Sequence, residues 1–237
     1  MASHISTHFL SVARRMAPIL LYGVYAYFCW RLLLIAAQYM PLRNDVAFLR
    51  IKQDVAVLAH YRLAFFVHVY STMLVLPAGF LQFSRSLRTR FPVLHRSFGW
   101  LYSLVVLVFA STSGFWMGLF ANGGFLSQLS FCLLALAWFY FTFQAVQYAR
   151  RKQFVRHRNF MIRSFALALS AITLRIWKPL LVYFFHPHPM DVYRLVAWLG
   201  WTLNWLLAEL IILILTNHEK NLSPLANGPH AERLSGK

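Results

Sequence analysis

The sequence predicts an all-α integral membrane bundle of six transmembrane helices with both termini in the cytoplasm. Three observations carry that expectation. The 237-residue chain is 59% hydrophobic and 12% charged, whereas soluble domains run near 25% charged and 45–50% apolar. Six stretches are apolar over about the 20 residues that a bilayer-spanning helix needs. Lysine and arginine alternate in abundance from one connection to the next. A soluble helical fold would need polar residues to cover its outside, and six Asp and Glu in 237 residues leave too few.

The elements follow in order. Residues 1–15 form a cytoplasmic segment before a first span at Met16–Gln38. That apolar run is longer than the 7–15 residues of a signal-peptide core and carries Arg31 near its outer end, so a retained anchor is expected. Residues 39–61 form an external connection with an amphipathic segment at the interface. The second span, Leu63–Phe83, holds His68 about two turns in. The third, Phe98–Phe120, repeats Ala110, Gly114 and Gly118 every four residues, a pattern that lets a neighbouring helix approach closely. "ANGG" (121–124) reads as a tight turn into a fourth span, Phe125–Gln147. A fifth follows at Ile162–Phe185 and a sixth at Leu195–Thr216. Residues 217–237 contain Pro, Gly and Ser with little to bury, as expected of a disordered tail. The spans and their flanks make one domain over residues 16–216.

The formal net charge of +17 could suggest nucleic acid, but its distribution points to topology. Fifteen Lys and Arg fall in the N-terminus, the second and fourth connections and the tail, against five in the intervening connections. The positive-inside bias places the former in the cytoplasm. Cys29 and Cys132 lie in different spans, form no metal spacing, and are read as small packing residues without a disulfide.

Polar residues inside spans are the candidates for function. Ser164, Ala168, Ala171 and Arg175 share one face of the fifth span at 100° per residue, with Lys178 beside them. Ala197, Trp201, Asn204 and Ala208 share a face of the sixth. Small residues mark contact faces, so Arg175, Lys178 and Asn204 are expected to point inward. Arg175 lies about 18 Å beyond Arg163 along the helix, and Arg31 and His68 fall near its level. These groups are expected to line a polar cavity open toward the outer face. Glu209 runs deeper and suits Arg163 better than Arg175. The competing reading has Arg31 and Lys178 snorkelling outward while Arg175 bonds backbone carbonyls.

"HRNFMIRSFALALSAITLR" (157–175) resembles the His-Arg-x-Trp-Met-Ile-Arg-Ser signature of an uncharacterised family of predicted bacterial membrane proteins, a domain of unknown function. "PAGFLQF" (77–83), "LHRSFGWLY" (94–102) and "AWLGWTLNWLLAE" (197–209) extend the likeness from about Leu63 to Glu209. Phe160 replaces the family's Trp, and Trp100 stands where Arg is usual. The resemblance implies a multi-pass protein of a bacterial inner (plasma) membrane and brings no established activity.

The histidines supply the remaining chemistry. His95 and His157 both start helices at the cytoplasmic surface, where two axial ligands at one depth could hold a b-type haem, with His68 as a further candidate. A two-haem pattern would need an outer histidine in the fourth span, which has none. His186 and His188 in "HPHP" read as solvated loop residues. No Walker motif, nucleophile elbow or paired carboxylates occur, so no enzyme class is assigned. Three readings stand: a membrane protein with an interior cationic pocket for a small anionic or polar ligand or lipid; a b-type haem or quinone-linked redox protein; and a structural or assembly subunit of a membrane complex. The expected partners are the bilayer, with a small anion or a membrane partner protein, and no nucleic acid.

Overall fold

The computed structural model of the protein describes the backbone of residues 2–226, and the side chains of residues 16–221 apart from residue 18. The secondary structure described is entirely helical: α1 (Ala2–Ala37), α2 (Ala47–Arg50), α3 (Gln53–Ala56), α4 (Ala59–Gln82), α5 (Arg85–Arg90), α6 (Pro92–Leu104), α7 (Ser111–Leu119), α8 (Phe125–Arg150), α9 (Phe154–Ala168), α10 (Ser170–Phe185) and α11 (Pro189–Ala226). A π-helical turn, Val105–Ala110, joins α6 to α7. Five helical stretches are long and apolar enough to cross a membrane, and α9 with α10 makes a sixth, bent by 42°. The protein is an all-α membrane bundle.

Two boundaries differ from the sequence expectation. The fifth span is not one helix from Ile162 but two that meet at Leu169. No proline stands at the bend. Instead, side chains enter the backbone ladder there, a recognised cause of sharp kinks. Asn204 Nδ2 donates to the Ala166 carbonyl at 3.1 Å, and Thr173 Oγ1 donates to the Gly200 carbonyl of α11. The last helix also runs on to Ala226, beyond the Thr216 limit. The remainder of the expected tail, 227–237, lies outside the described residues.

The bundle is held by small residues and by buried hydroxyls. Gly118 sits against the α8 backbone, where a Cβ would meet Cys132 N at 3.2 Å. Gly114 instead makes room for the His68 ring, whose Cε1 would lie 3.1 Å from a Cβ. Tyr102, Thr142 and Ser164 bring α6, α8 and α9 together: the Tyr102 and Thr142 hydroxyls each lie 2.7 Å from Ser164 Oγ. Trp201 Nε1 reaches Ser130 Oγ at 3.0 Å, and that hydroxyl donates to the Ala197 carbonyl. Such bonds satisfy polar groups in hydrocarbon and average about 0.6 kcal/mol apiece.

The packing leaves two helices at the margin. α4 packs on α6 and α7, α8 on α7 and α9, and α11 on α8, α9 and α10. α1 packs chiefly on α4, and α10 chiefly on α11. The connection between α1 and α4 folds back over one end of the bundle as a roof. Leu49, Lys52 and Ala56 of the roof are buried, and so are Tyr39 and Tyr61 at its two ends.

Candidate functional site

A cavity of about 420 Å³ lies under the roof, walled by α1, α4, α7, α8 and α10. Its lining contains two obligate cations, Lys52 and Arg175, together with His68, and no carboxylate. Each of the three is fixed by a different element.

His68 comes from α4, opposite the π-helical turn. Its Nδ1 lies 2.9 Å from the Ala110 carbonyl at the end of that turn. A carbonyl only accepts, so Nδ1 carries the hydrogen and donates it, which leaves Nε2 as the free ring atom. Ser113 Oγ stands 3.3 Å from the same Nδ1. The ring is therefore held in one orientation and one tautomer.

Arg175 comes from α10, one and a half turns past the bend. Its Nη1 donates to the Ala171 carbonyl one turn back. The side chain is exposed on the cavity wall, and no acidic partner faces it among the described residues. The guanidinium has five donors, so most of its capacity is free. It acts electrostatically on Tyr39, whose hydroxyl is pushed above its ordinary value by burial while the Phe48 N–H and Arg175 pull it back.

Lys52 comes from the roof and was not singled out in the sequence. It is 3% exposed, and its Nζ donates to the Phe120 carbonyl beyond α7. Burial pushes its ammonium below the usual lysine range, against an opposing pull from Asp54. Nothing in the run "RIKQDVAV" marks it, because its burial depends on residues 41–58 folding back onto the bundle. The same roof lies across the end where the sequence predicted an opening.

The other residues proposed for this site lie elsewhere. Arg31 and Lys178 are exposed and outside the cavity lining. Asn204 is also outside it, and its Nδ2 faces three acceptors at 3.1 Å: the Ala166 and Gly200 carbonyls and Thr173 Oγ1. It fastens the bend that sets the direction of α10, and so acts on Arg175 only through the backbone.

At the opposite, arginine-rich end two of the cations have carboxylates. Arg163 Nε and Nη2 bind Glu209 Oε1 and Oε2 at 2.6 and 2.8 Å. Trp205 Nε1 donates to Glu209 Oε1 at 2.8 Å, and Arg163 lies over the Phe160 ring at 5.0 Å. Arg158 pairs with Glu219. Trp100 receives the Arg150 guanidinium over its ring at 5.7 Å.

His95 and His157 also sit at this end, outside the roofed cavity. His157 Nδ1 donates to the Ala145 carbonyl at 2.8 Å. His95 Nδ1 is buried without a hydrogen-bond partner in the protein. No group of three or more His, Cys, Asp or Glu with metal-holding geometry occurs among the described residues.

No curated protein and no solved structure matches the chain. A family model described as "Predicted membrane protein (DUF2306)" matches residues 65–212, a span that includes α4 through most of α11 and every cavity wall except α1 and the roof. The chain belongs to this family of membrane proteins of unknown function.

Proposed function

We propose that the protein binds a small molecule or lipid through an anionic group held between Arg175 and Lys52, with His68 further along the same cavity. The observation that carries this reading is a lining with two cations and no carboxylate. A charge kept in a span costs about 2.5–3.5 kcal/mol even on lenient scales, and it persists where it gains a partner or water. Within the fifth span itself Arg163 meets an acid, Glu209. At Arg175 a carboxylate or phosphate from outside the chain completes the charge, and the planar guanidinium suits either group in a bidentate bond.

The reading includes an orientation. The arginine-rich end and both termini face the cytoplasm of a bacterial inner membrane, and the roof faces outward. Single cysteines at Asn122 and His188 then react with an impermeant reagent on intact cells. Labelling only after lysis reverses the orientation.

The binding test uses inorganic phosphate and octanoate with detergent-purified protein. Both raise the melting temperature of the wild type in a concentration-dependent way. Arg175→Ala loses the rise and Arg175→Lys keeps part of it, because a point charge replaces a fork. An equal rise in Arg175→Ala, or none in the wild type, overturns the reading.

A second reading, a b-type haem at the arginine-rich end, draws on one observation, the partnerless buried Nδ1 of His95. Protein expressed with ample haem then purifies red, with a reduced band lost in His95→Ala or His157→Ala. Colourless protein removes this reading.

A further inference from the structure

We infer that the ligand is an amphiphile, an acyl chain bearing a carboxylate or phosphate head, taken up sideways from the bilayer through the seam between α1 and α10. This rests on the anion-binding reading of the same cavity and adds the chain and the route.

The shape of the cavity carries the chain. Its lining on α4 runs from Tyr61 to Pro77, a rise of about 24 Å along the helix. A compact void of 420 Å³ would be only about 9 Å across on a spherical estimate, well short of that helix length. The space is therefore long and thin. It follows the bundle axis for most of a hydrocarbon core about 30 Å thick.

Polarity is segregated along that length. Lys52 belongs to the roof and Arg175 acts on Tyr39 at the end of that roof; His68 stands midway along the α4 wall, and Val69, Met73, Val75 and Leu76 line it from there on. Thr72 is the one hydroxyl on that part of the α4 wall, and it donates to the His68 carbonyl of its own helix at 2.8 Å. A cavity with two cations at one end, one imidazole midway and a mostly apolar wall beyond it matches a molecule divided the same way.

The route follows from what is covered and what is not. The roof buries Lys52 and Leu49, so the path from water at that end is obstructed. Arg175, in contrast, is exposed while lining the cavity. Leu33 of α1 lines the same cavity and is 38% exposed. α1 packs chiefly on α4 and α10 chiefly on α11, and the two make little contact with each other. The cavity thus opens to the lipid side along the α1–α10 seam, with the Arg175 guanidinium at the opening. A lipid head can reach the cation there while its tail passes from bilayer to cavity, a move between two apolar media with little hydrophobic cost.

The test uses full-length protein in nanodiscs of zwitterionic lipid, with palmitate carrying a mid-chain diazirine. After photolysis, peptide mapping finds the label on cavity-facing residues of α1 and α4, such as Leu32 and Met73. Excess palmitate competes, and hexadecanol, which has the chain without the charge, does not. Arg175→Ala lowers cavity labelling at least tenfold, and Arg175→Lys, which keeps the charge if the alanine variant misfolds, lowers it less. Phosphatidylglycerol in the disc distinguishes the source: competition by it at similar mole fraction assigns the head to a phospholipid, and its failure assigns a free fatty acid. Ala135→Leu fills the apolar part and shifts the preference to shorter chains.

Label spread evenly over the outward faces of all helices overturns the inference. If phosphate still raises the melting temperature in that case, the anion site stands and only the chain and route fall. If phosphate and palmitate both leave the protein unchanged, the anion site fails with them.

Discussion

Two arginines of the bundle, Arg163 and Arg175, are treated in opposite ways. At the arginine-rich end, Arg163 has a bidentate carboxylate, an indole N–H shares that carboxylate, and Phe160 covers the guanidinium face. At the roofed end, Arg175 has one carbonyl of its own helix and Lys52 has one carbonyl of a loop. A cation whose valence is met by the fold acts as a fastener between helices. A cation bonded only to carbonyls keeps most of its charge for something else. The difference separates stability from binding along one molecule.

Substitutions at the two ends should therefore fail in different assays. The largest effect is expected for Arg175→Ala, which should weaken binding of phosphate or octanoate about 100-fold, the scale on which truncating one side of a desolvated charge pair acts. Its melting temperature without ligand should stay near the wild type. A melting temperature that collapses would make Arg175 a fastener too and abolish the contrast.

Next in size is Glu209→Gln. The pair is part-buried, with side-chain exposures of 21% and 41%, so its loss falls between the surface and buried limits, at about 2 kcal/mol. Thermal unfolding in detergent measures this, and octanoate binding per folded molecule should be unchanged. The double variant Arg163→Met with Glu209→Leu should recover most of the loss, because no uncompensated charge remains.

Asn204→Ala tests whether the bend belongs to the fold or to the site. Three acceptors at the break lose their donor, for a cost of about 1 kcal/mol. Because the bend directs α10, ligand affinity should fall a few-fold although Asn204 touches no part of the cavity. An unchanged affinity would separate the bend from the site.

Lys52 predicts a pH effect of smaller size. Its folded value lies below the ordinary lysine value of 10.5, so within that window the unfolded chain binds more protons than the folded one. Stability therefore rises with pH across the window. Anion binding runs the other way, since deprotonation removes a cation. Octanoate affinity should decline a few-fold on the alkaline side, and Lys52→Met should flatten that decline. The smallest effect is expected at the exposed pair Arg194–Asp191, where Asp191→Asn should change neither stability nor binding measurably.

Much of the architecture was legible because hydrocarbon imposes its rules residue by residue. Span number follows from runs of apolar side chains, and the contact faces of the third and sixth spans follow from Gly114, Gly118, Ala197 and Ala208 at helical spacing. The match of Glu209 to Arg163 rather than Arg175 came from depth and angle alone, since both follow from 1.5 Å and 100° per residue. The placing of Arg175 and His68 on one cavity was legible for the same reason.

Position along a helix does not say which neighbour stands opposite, and there the sequence stops. Arg31 and Lys178 lie outside the cavity, because α1 turns Tyr25 to α4 and Leu32, Leu33 and Ala36 to the cavity, and α10 meets α11 through Thr173 and Gly200. The bend at Leu169 has no proline to announce it and depends on Asn204 from a different helix. Lys52 sits in a short polar segment whose burial exists only once the roof has folded over α4 and α7. Sequence by itself determined that the chain forms a bundle of five to six apolar helices and how far apart the charges lie along each one, since both are local consequences of composition and helix geometry. Only the tertiary structure decided which charges face one another, because that depends on the rotation and bending of whole helices against their neighbours.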